Sequence, residues 1–420
     1  MTTTRTPLHH IVRVRSSDDL TYMRPGLMDE IIVNANQLEN SIQATTAALW
    51  ETTLPFSVDP VLWRFQMPAW SRNVDGETKR NYKRLGAAYT HGIGVTLGSA
   101  PLLDTLSTDD EWRVLAANVI TYQRNRLRDV PTQLDLLNDL RALDPVRLTA
   151  PALVAFSAKE DRINRLMVDA AAEEAQRGVA VQMIVPIERL VDHAGLHALI
   201  ASAPTEGVSS YSLWTPQVTE ERLISDPTIL MALLRMVGEL SARGIAVGHQ
   251  YANYTIAALH DVGLASITHH LGWVDKGEPT ADQRFAMRSC QTYVPGVRHS
   301  VRFHTAEALG RDLDADTYAK QYCECAFCAG MFDSGNHPFD LLLETQTVVM
   351  KNGAAREIPT ARSTGANTWH FLLSRRSEVE AFSMGPAVEV IEHDIDRASA
   401  LKRGSDAARL VQLATELKSA

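Results

Sequence analysis

The sequence predicts an α/β protein built as a (β/α)₈ barrel with a small metal-binding subdomain toward its C-terminal end. Three observations predict it. Short β-branched runs alternate with amphipathic helical stretches along most of the chain. No glycine-rich G-x-G-x-x-G turn follows the first of these runs, which favours a closed barrel over an open doubly wound sheet. Far downstream, three thiols crowd into Cys323-Glu324-Cys325-Ala326-Phe327-Cys328.

Taken in order, the expected strands are residues 30–34, 56–59 (ended by Pro60), 91–97, 153–156, 179–185, 208–214, 245–249, 265–269 and 292–295. These nine candidates bracket the eight that a barrel needs. Helices are expected over 159–177, 188–202, 219–243 and 251–262, three of them closed by Gly178, Gly244 and Gly263. The polar, helical stretch 104–148, broken by Pro131 and Pro145, reads as an insertion covering one end of the barrel. The strand-helix rhythm stops near Tyr318, so residues 1–317 are assigned to the barrel and 318–420 to the metal-bearing subdomain with its terminal helices. Barrel chemistry collects at the carboxyl ends of strands, which singles out Asp59, Tyr211, Trp214, His249, Gln250, Thr268, His269 and His270.

Composition narrows the class further. The 420 residues are 45% apolar and 22% charged, enough to bury a large core without disulfide staples. The longest apolar stretches, 179–186 and 229–234, are far too short to span a membrane, and the polar start Met1–Pro7 lacks a secretory apolar region. A cytoplasmic chain is expected, with no membrane partner. Four cysteines, three clustered and Cys290 alone, suit a reducing compartment where thiols bind metal. A net charge of -9 argues against a broad basic face for duplex nucleic acid. Local patches remain available in Lys79-Arg80, Lys83-Arg84, the Arg124, Arg126, Arg128 series and Arg375-Arg376, although charge runs are usually solvated helix faces.

Thiols this close are poor disulfide partners but can converge on one tetrahedral Zn²⁺, which takes four N or S ligands. His370, 42 positions beyond Cys328 (370 − 328), is the preferred fourth ligand. It is expected in the first turn of a helix that begins near Asn367, where Trp369, Phe371, Leu372 and Leu373 would pack the ring. His337, beside Pro338 and ahead of a short helix over 339–344, is the rival. A site closed by four N and S ligands leaves no open coordination position, so the ion would be structural.

With these residues in hand, the second half of the chain resembles the tRNA-guanine transglycosylase superfamily, and within it the DNA-modifying 7-deazaguanine relatives. The resemblance rests on Tyr322-Cys323-Glu324-Cys325-Ala326-Phe327-Cys328 and on His370-Phe371-Leu372-Leu373 with Arg375, Arg376 and Glu378. It extends to residues 263–270 and to Tyr293-Val294-Pro295 with Arg298-His299. The first 150 residues match only weakly. The resemblance implies exchange of a guanine-type base in tRNA or DNA for a 7-deazaguanine, through a covalent intermediate on an aspartate, and pairing of two copies through the zinc region. This chain departs from the pattern at strand seven, where Ser266-Ile267-Thr268-His269-His270 offers no carboxylate, and at the early Asp-Ser-Gly-Gly-Phe turn, replaced by Asp59-Pro60-Val61-Leu62-Trp63.

Base exchange at C1′ needs a carboxylate and a proton donor. The candidates are Asp59 and Asp275, with His269 or His270 holding or protonating. Strand alternation sends at most one of that histidine pair toward the barrel mouth. Tyr211 and Trp214, with His249 and His270, would form the flat slot that a purine requires. Against these stand plainer roles: Asp59 as a turn cap, Tyr211 and Trp214 as an aromatic plug. Two other functions are consistent with the sequence: a non-catalytic accessory subunit that keeps the zinc barrel without the nucleophile, and a metal-dependent hydrolase using His249, His269 and His270.

Overall fold

The structure, a computed structural model, describes residues 6–73, 75–128, 130, 143–216, 218–271, 290–350 and 353–419. Its core is eight strands: β1 His9–Val14, β2 Glu30–Asn34, β3 Phe56–Asp59, β4 Thr149–Ala150, β5 Val179–Ile184, β6 Val208–Trp214, β7 Ala246–His249 and β8 Leu264–His270. They pair in the order β3-β2-β1-β8-β7-β6-β5-β4, every pair parallel. The two ends of that order meet through a parallel bridge between Ser57 and Arg147 and a 2.9 Å hydrogen bond from the Val146 N–H to the Phe56 carbonyl. The sheet is therefore a nearly closed (β/α)₈ barrel.

Strand β1 is absent from the sequence reading, because His9-His10 opens it and Arg13 interrupts its apolar run. Parallel barrel strands ordinarily read as continuous hydrophobic stretches. Residues 91–97 form turns instead of a strand, with Gly92 and Gly94 at φ of 79° and 80°. The regular part of strand four falls earlier than 153–156, since Pro151 has no N–H to extend the ladder, and of the expected stretch Val154 keeps a parallel bridge to Ile184 of β5. Beyond it Leu153 and Val154 give their N–H groups to Asn164 Oδ1 and Gln66 Oε1, each at 2.8 Å. Residues 292–294 lie in β9 Gln291–Val294, which pairs antiparallel with β10 His299–Arg302 outside the barrel, and Pro295 opens the turn between them. Gly244 and Gly263 end their helices at φ of 78° and 103°, whereas Gln176, at 53°, takes the role expected of Gly178.

Helices ring the barrel. Within the stretch read as an insertion, the Asp109–Asn125 helix starts at a Thr108/Glu111 capping box and buries Trp112, Leu115, Val119 and Ile120 beside the Ala158–Ala175 helix. The expected helix over 219–243 is two, Glu220–Ser225 and Pro227–Ser241, restarted by Pro227 with Asp226 as its cap. None of the described helices is long and apolar enough to cross a membrane.

The C-terminal region adds the hairpin β11 Thr345–Val349 and β12 Ala355–Pro359, then helices Ala361–Met384, Ala387–Ala400 and Gly404–Ser419. A buried ion network fastens two of these helices to the core. Arg298 donates to Asp394 (2.6 and 2.8 Å) and to Glu378 Oε1 (3.0 Å). Tyr254 and Tyr293 donate to the same two carboxylates, and Arg375 Nη1 reaches Glu378 Oε2 at 2.5 Å. Burial opposes the Arg298 charge, but Asp394 and Glu378 outweigh it and hold the guanidinium well above its ordinary pKa.

Removing one member of such a network strands the others in a dry interior. Arg298→Met should therefore lower unfolding free energy by roughly 3–5 kcal/mol. Chemical denaturation measures it, and a loss below about 1 kcal/mol would show that the network does not fasten the helices.

Candidate functional site

Two constellations stand out, a sulfur-nitrogen cluster behind the barrel and a polar and aromatic assembly at its carboxyl mouth. In the first, Cys323 and Cys325 lie between the Ala315–Gln321 and Ala326–Asp333 helices, and Cys328 falls in the first turn of the latter. The Ala361–Met384 helix begins six residues before Asn367 (367 − 361), so His370 projects from its interior and not from its first turn. The four ligand atoms lie within 4.8 Å of one another, and no member is more than 7% exposed.

His370 Nε2 faces the Tyr293 carbonyl at 2.8 Å and must donate to it, which leaves the Nδ1 lone pair aimed at the thiols. Nδ1 stands 3.7, 3.4 and 3.5 Å from the sulfurs of Cys323, Cys325 and Cys328. A tetrahedral ion with bonds of about 2.3 Å to sulfur and about 2.0 Å to nitrogen would space them by about 3.5 Å. Burial alone would keep the Cys323 thiol protonated; Cys325, Cys328 and His370 bring it well below the ordinary thiol pKa. The group could hold a metal ion. His337 stands apart, its Nε2 on the Gly310 carbonyl and its Nδ1 accepting from the Phe339 N–H, both at 3.2 Å.

At the mouth, the focus is a residue that sequence reading passed over. Arg13, 1% exposed, reaches from β1 to the ends of β2, β3 and β7. It donates to Asn34 Oδ1 (2.5 Å), Gln250 Oε1 (2.7 Å) and the Asp59 carboxylate, while Gln250 passes a hydrogen bond to Ser212 Oγ (2.9 Å). Burial works against the Arg13 charge, yet Tyr251 and Asp59 raise its pKa above the ordinary value. Asp59 Oδ1 also accepts from the Val61 N–H at 2.8 Å. Val61 and Tyr251, at φ of 49° and 55°, hold left-handed conformations that are costly for such side chains.

Above this network lie the indoles of Trp63 and Trp214, with centroids 4.8 Å apart. Trp70 packs on Trp63 (5.1 Å) and Tyr251 on Trp214 (5.0 Å). His270 ends the series 5.0 Å from Tyr251, its Nδ1 near the Arg13 carbonyl at 3.2 Å. Asp59, Trp214, His270 and Gln250 thus come together.

Other candidates do not join them. Asp275 lies outside the described residues. Tyr211 alternates with Ser212 and faces the helix layer, where its hydroxyl meets the Pro204 carbonyl. His249 shares that outward row through its register partners Leu213 and Ile267. Both its ring nitrogens are buried without a hydrogen-bond partner among the described residues, and burial lowers its pKa to about 4.

His269 also points outward, toward Phe371 (5.2 Å), with its Nε2 2.6 Å from His10 Nε2. The Nδ1 atoms of that pair face the His270 and Leu27 carbonyls at 2.8 Å each. Filling all three contacts takes three protons, one more than two neutral rings carry, and burial resists the third. His249, His269 and His270 consequently do not converge, and among the described residues the only metal-competent group is the cysteine-histidine cluster.

Arg13, Asn34, Ser212, Trp70 and Tyr251 went unassigned in the sequence. One signal was present: a lone arginine inside Ile11-Val12-Arg13-Val14 implies a buried cation that must find an acid.

No protein-family model matches the chain, and no curated protein matches its sequence. Among solved structures it is similar to a Coccidioides immitis protein described as a fructose-1,6-biphosphate aldolase. Identity is 11%, the match covers 63% of this chain and 74% of that one, and the TM-score is 0.30. A second similar structure is an aldolase/citrate lyase family protein from Burkholderia cenocepacia, at 17% identity, 63% and 88% coverage and a TM-score of 0.28. Likeness at this level carries no argument about activity; the strand order itself defines the barrel.

Two outcomes follow. Elemental analysis should find one bound metal ion per chain, lost in His370→Ala and Cys325→Ser but kept in His337→Ala; retention in His370→Ala would dissolve the assigned cluster. The second concerns acid. His249 has its folded pKa depressed to about 4 from 6.5, so the fold keeps its full stability above pH 6.5 and loses it as pH falls toward 4. Denaturant titration should show His249 contributing about 2 kcal/mol of that loss between pH 6.5 and 5. In His249→Leu the pH slope should flatten, and an unchanged slope would refute the assignment.

Proposed function

We propose that this chain is a transglycosylase-like enzyme that exchanges a guanine-type base in tRNA or DNA for a 7-deazaguanine. In this reading the cysteine-histidine cluster holds a structural Zn²⁺. Its donor set, three sulfurs and one imidazole nitrogen, all buried and within 4.8 Å of one another, is one that ion takes in closed sites. The ion supplies fold, not chemistry.

The observation that carries the reading is the pairing, at the carboxyl mouth, of a strand-end carboxylate with a packed aromatic cluster. Asp59 lies in the polar network made with Arg13, Asn34 and Gln250, and Trp63, Trp214 and Tyr251 pack together beside it. Flat faces grip a heterocycle by stacking, and the amides and guanidinium offer donors and acceptors to its edge. In the exchange, a carboxylate oxygen bonds C1′ as the C1′–N9 bond breaks and the base leaves with a proton; the incoming base then displaces the carboxylate. Asp59 is the carboxylate assigned to the mouth and Asp275, outside the described residues, is the candidate for the remaining proton transfers, whereas His269 faces outward to His10 and Phe371 and takes no part.

A second reading, an accessory subunit without catalysis, is favoured by one specific observation. Asp59 is already committed to Arg13 and to the Val61 N–H, and β8 ends in Thr268-His269-His270 without an acid.

Incubating the chain with labelled guanine or 7-deazaguanine plus tRNA or DNA separates the two. Label should enter the polymer, and Asp59→Asn should reduce incorporation by about 10²-fold or more. Incorporation that survives both Asp59→Asn and Asp275→Asn would remove the acid assignments. Base binding without any incorporation would select the accessory reading.

A further inference from the structure

The basic runs divide sharply once their partners are known. Arg124 pairs with Glu174 (3.6 Å), Arg126 with Glu39 (2.6 Å) and Arg128 with Asp144 (2.5 Å). Arg375 pairs with Glu378 (2.5 Å), and Arg376 with Asp29 (3.0 Å) and Glu380 (2.8 Å). Lys79, Arg80, Lys83 and Arg84 are exposed and form no ion pair among the described residues. The acids of the adjoining turn, Asp75 and Glu77, are exposed and do not reach them.

Position makes this run more than a solvated face. Arg80, Lys83 and Arg84 share one stripe of the Arg80–Tyr89 helix through i, i+3 and i+4 spacing. From Lys79, at the start of that helix, a chain of contacts leads to the mouth. The Lys79 ammonium lies 6.0 Å over the Tyr82 ring, and the Tyr82 hydroxyl accepts from Arg64 Nη1 at 2.6 Å. The Arg64 guanidinium then stands 4.9 Å over Trp63, a member of the aromatic cluster. Arg72, nearby, donates to the Gly98 and Ser99 carbonyls. Like charges gathered without acids repel one another, in a chain whose net charge is -9. Partial burial, with the nearby Arg64 charge as the second cause, lowers the Lys79 pKa.

We infer that Lys79, Arg80, Lys83 and Arg84, together with Arg64 and Arg72, track the phosphodiester backbone of an unpaired nucleic-acid strand whose base enters the aromatic mouth. Cations leading to stacking surfaces are the arrangement that binds single strands. A buried aromatic cluster can receive a base only after it has left its stack, which fits an unpaired strand better than a duplex. The inference rests on the base-binding reading of the mouth and adds the path of the polymer to it.

The test measures binding of a fluorescein-labelled single-stranded DNA and of an unmodified tRNA transcript by anisotropy, across salt concentrations. A quadruple variant, Lys79→Gln, Arg80→Gln, Lys83→Gln and Arg84→Gln, should lose at least about tenfold in affinity at low salt. Its salt slope should fall by roughly 3, four phosphate contacts at about 0.7 each. A control with the same change in charge at paired surface sites, Arg128→Gln, Arg162→Gln, Arg235→Gln and Lys418→Gln, should bind within about twofold of the unsubstituted chain. Absence of binding by the unsubstituted chain, or equal losses in both variants, would overturn the inference. Calorimetry with free 7-deazaguanine tells the two ideas apart. A chain that binds the base but neither polymer keeps the mouth and loses the surface; one that binds polymers through this stripe but not the base does the reverse.

Discussion

A single guanidinium buried in the barrel governs the rest of the mouth. Desolvating Arg13 costs several kcal/mol, and only partners drawn from several strands can offset it. Asp59, Asn34 and Gln250 do so from the ends of β3 and β2 and from the residue after β7. The same demand explains why Asp59 is buried at 2% exposure and why the strained Val61 turn persists, since its N–H completes the coordination of the carboxylate. Tyr251 lies beside the guanidinium, its ring centroid 5.4 Å away, and packs with Trp214 and Trp63 into a buried aromatic cluster.

On the outer side of the barrel, one helix carries the corresponding burden. Ala361–Met384 presents His370 to the three thiols and to the Tyr293 carbonyl, and Phe371 to Tyr293 and His269. One turn further on it supplies Arg375 and Glu378 to the Arg298 and Asp394 network. The cluster and the ion network are thus two fastenings on one rod, joined through the β9 hairpin. Loss of either would weaken the hold of the C-terminal helices on the barrel, yet leave the mouth network, on the strands' other face, to its own contacts.

Much of this was legible in the residues. Strands at 30–34, 56–59 and 208–214 were visible because their apolar runs end in Ala, Pro or Thr-Pro signals, and the cysteine spacing pointed to His370. Strand β1 was not, because its inward row carries a charge whose partners are remote in sequence: Asn34 lies 21 positions away, Asp59 46 and Gln250 237. No local pattern encodes a contact of that range. For Tyr211 and Trp214 the difference was parity alone: three residues apart on one strand, they face opposite layers. The pairing of the basic runs was equally hidden, because which arginine finds an acid depends on helix packing and not on the run itself.

The claim on which the account turns is that the aromatic mouth over Asp59 receives a flat base. A crystal structure of the chain soaked with a 7-deazaguanine tests it most directly. The account predicts ring density stacked against Trp63, Trp214 or Tyr251, with its polar edge on Asp59, Arg13 or Gln250. An unchanged, closed aromatic cluster with the ring absent or bound elsewhere would contradict it.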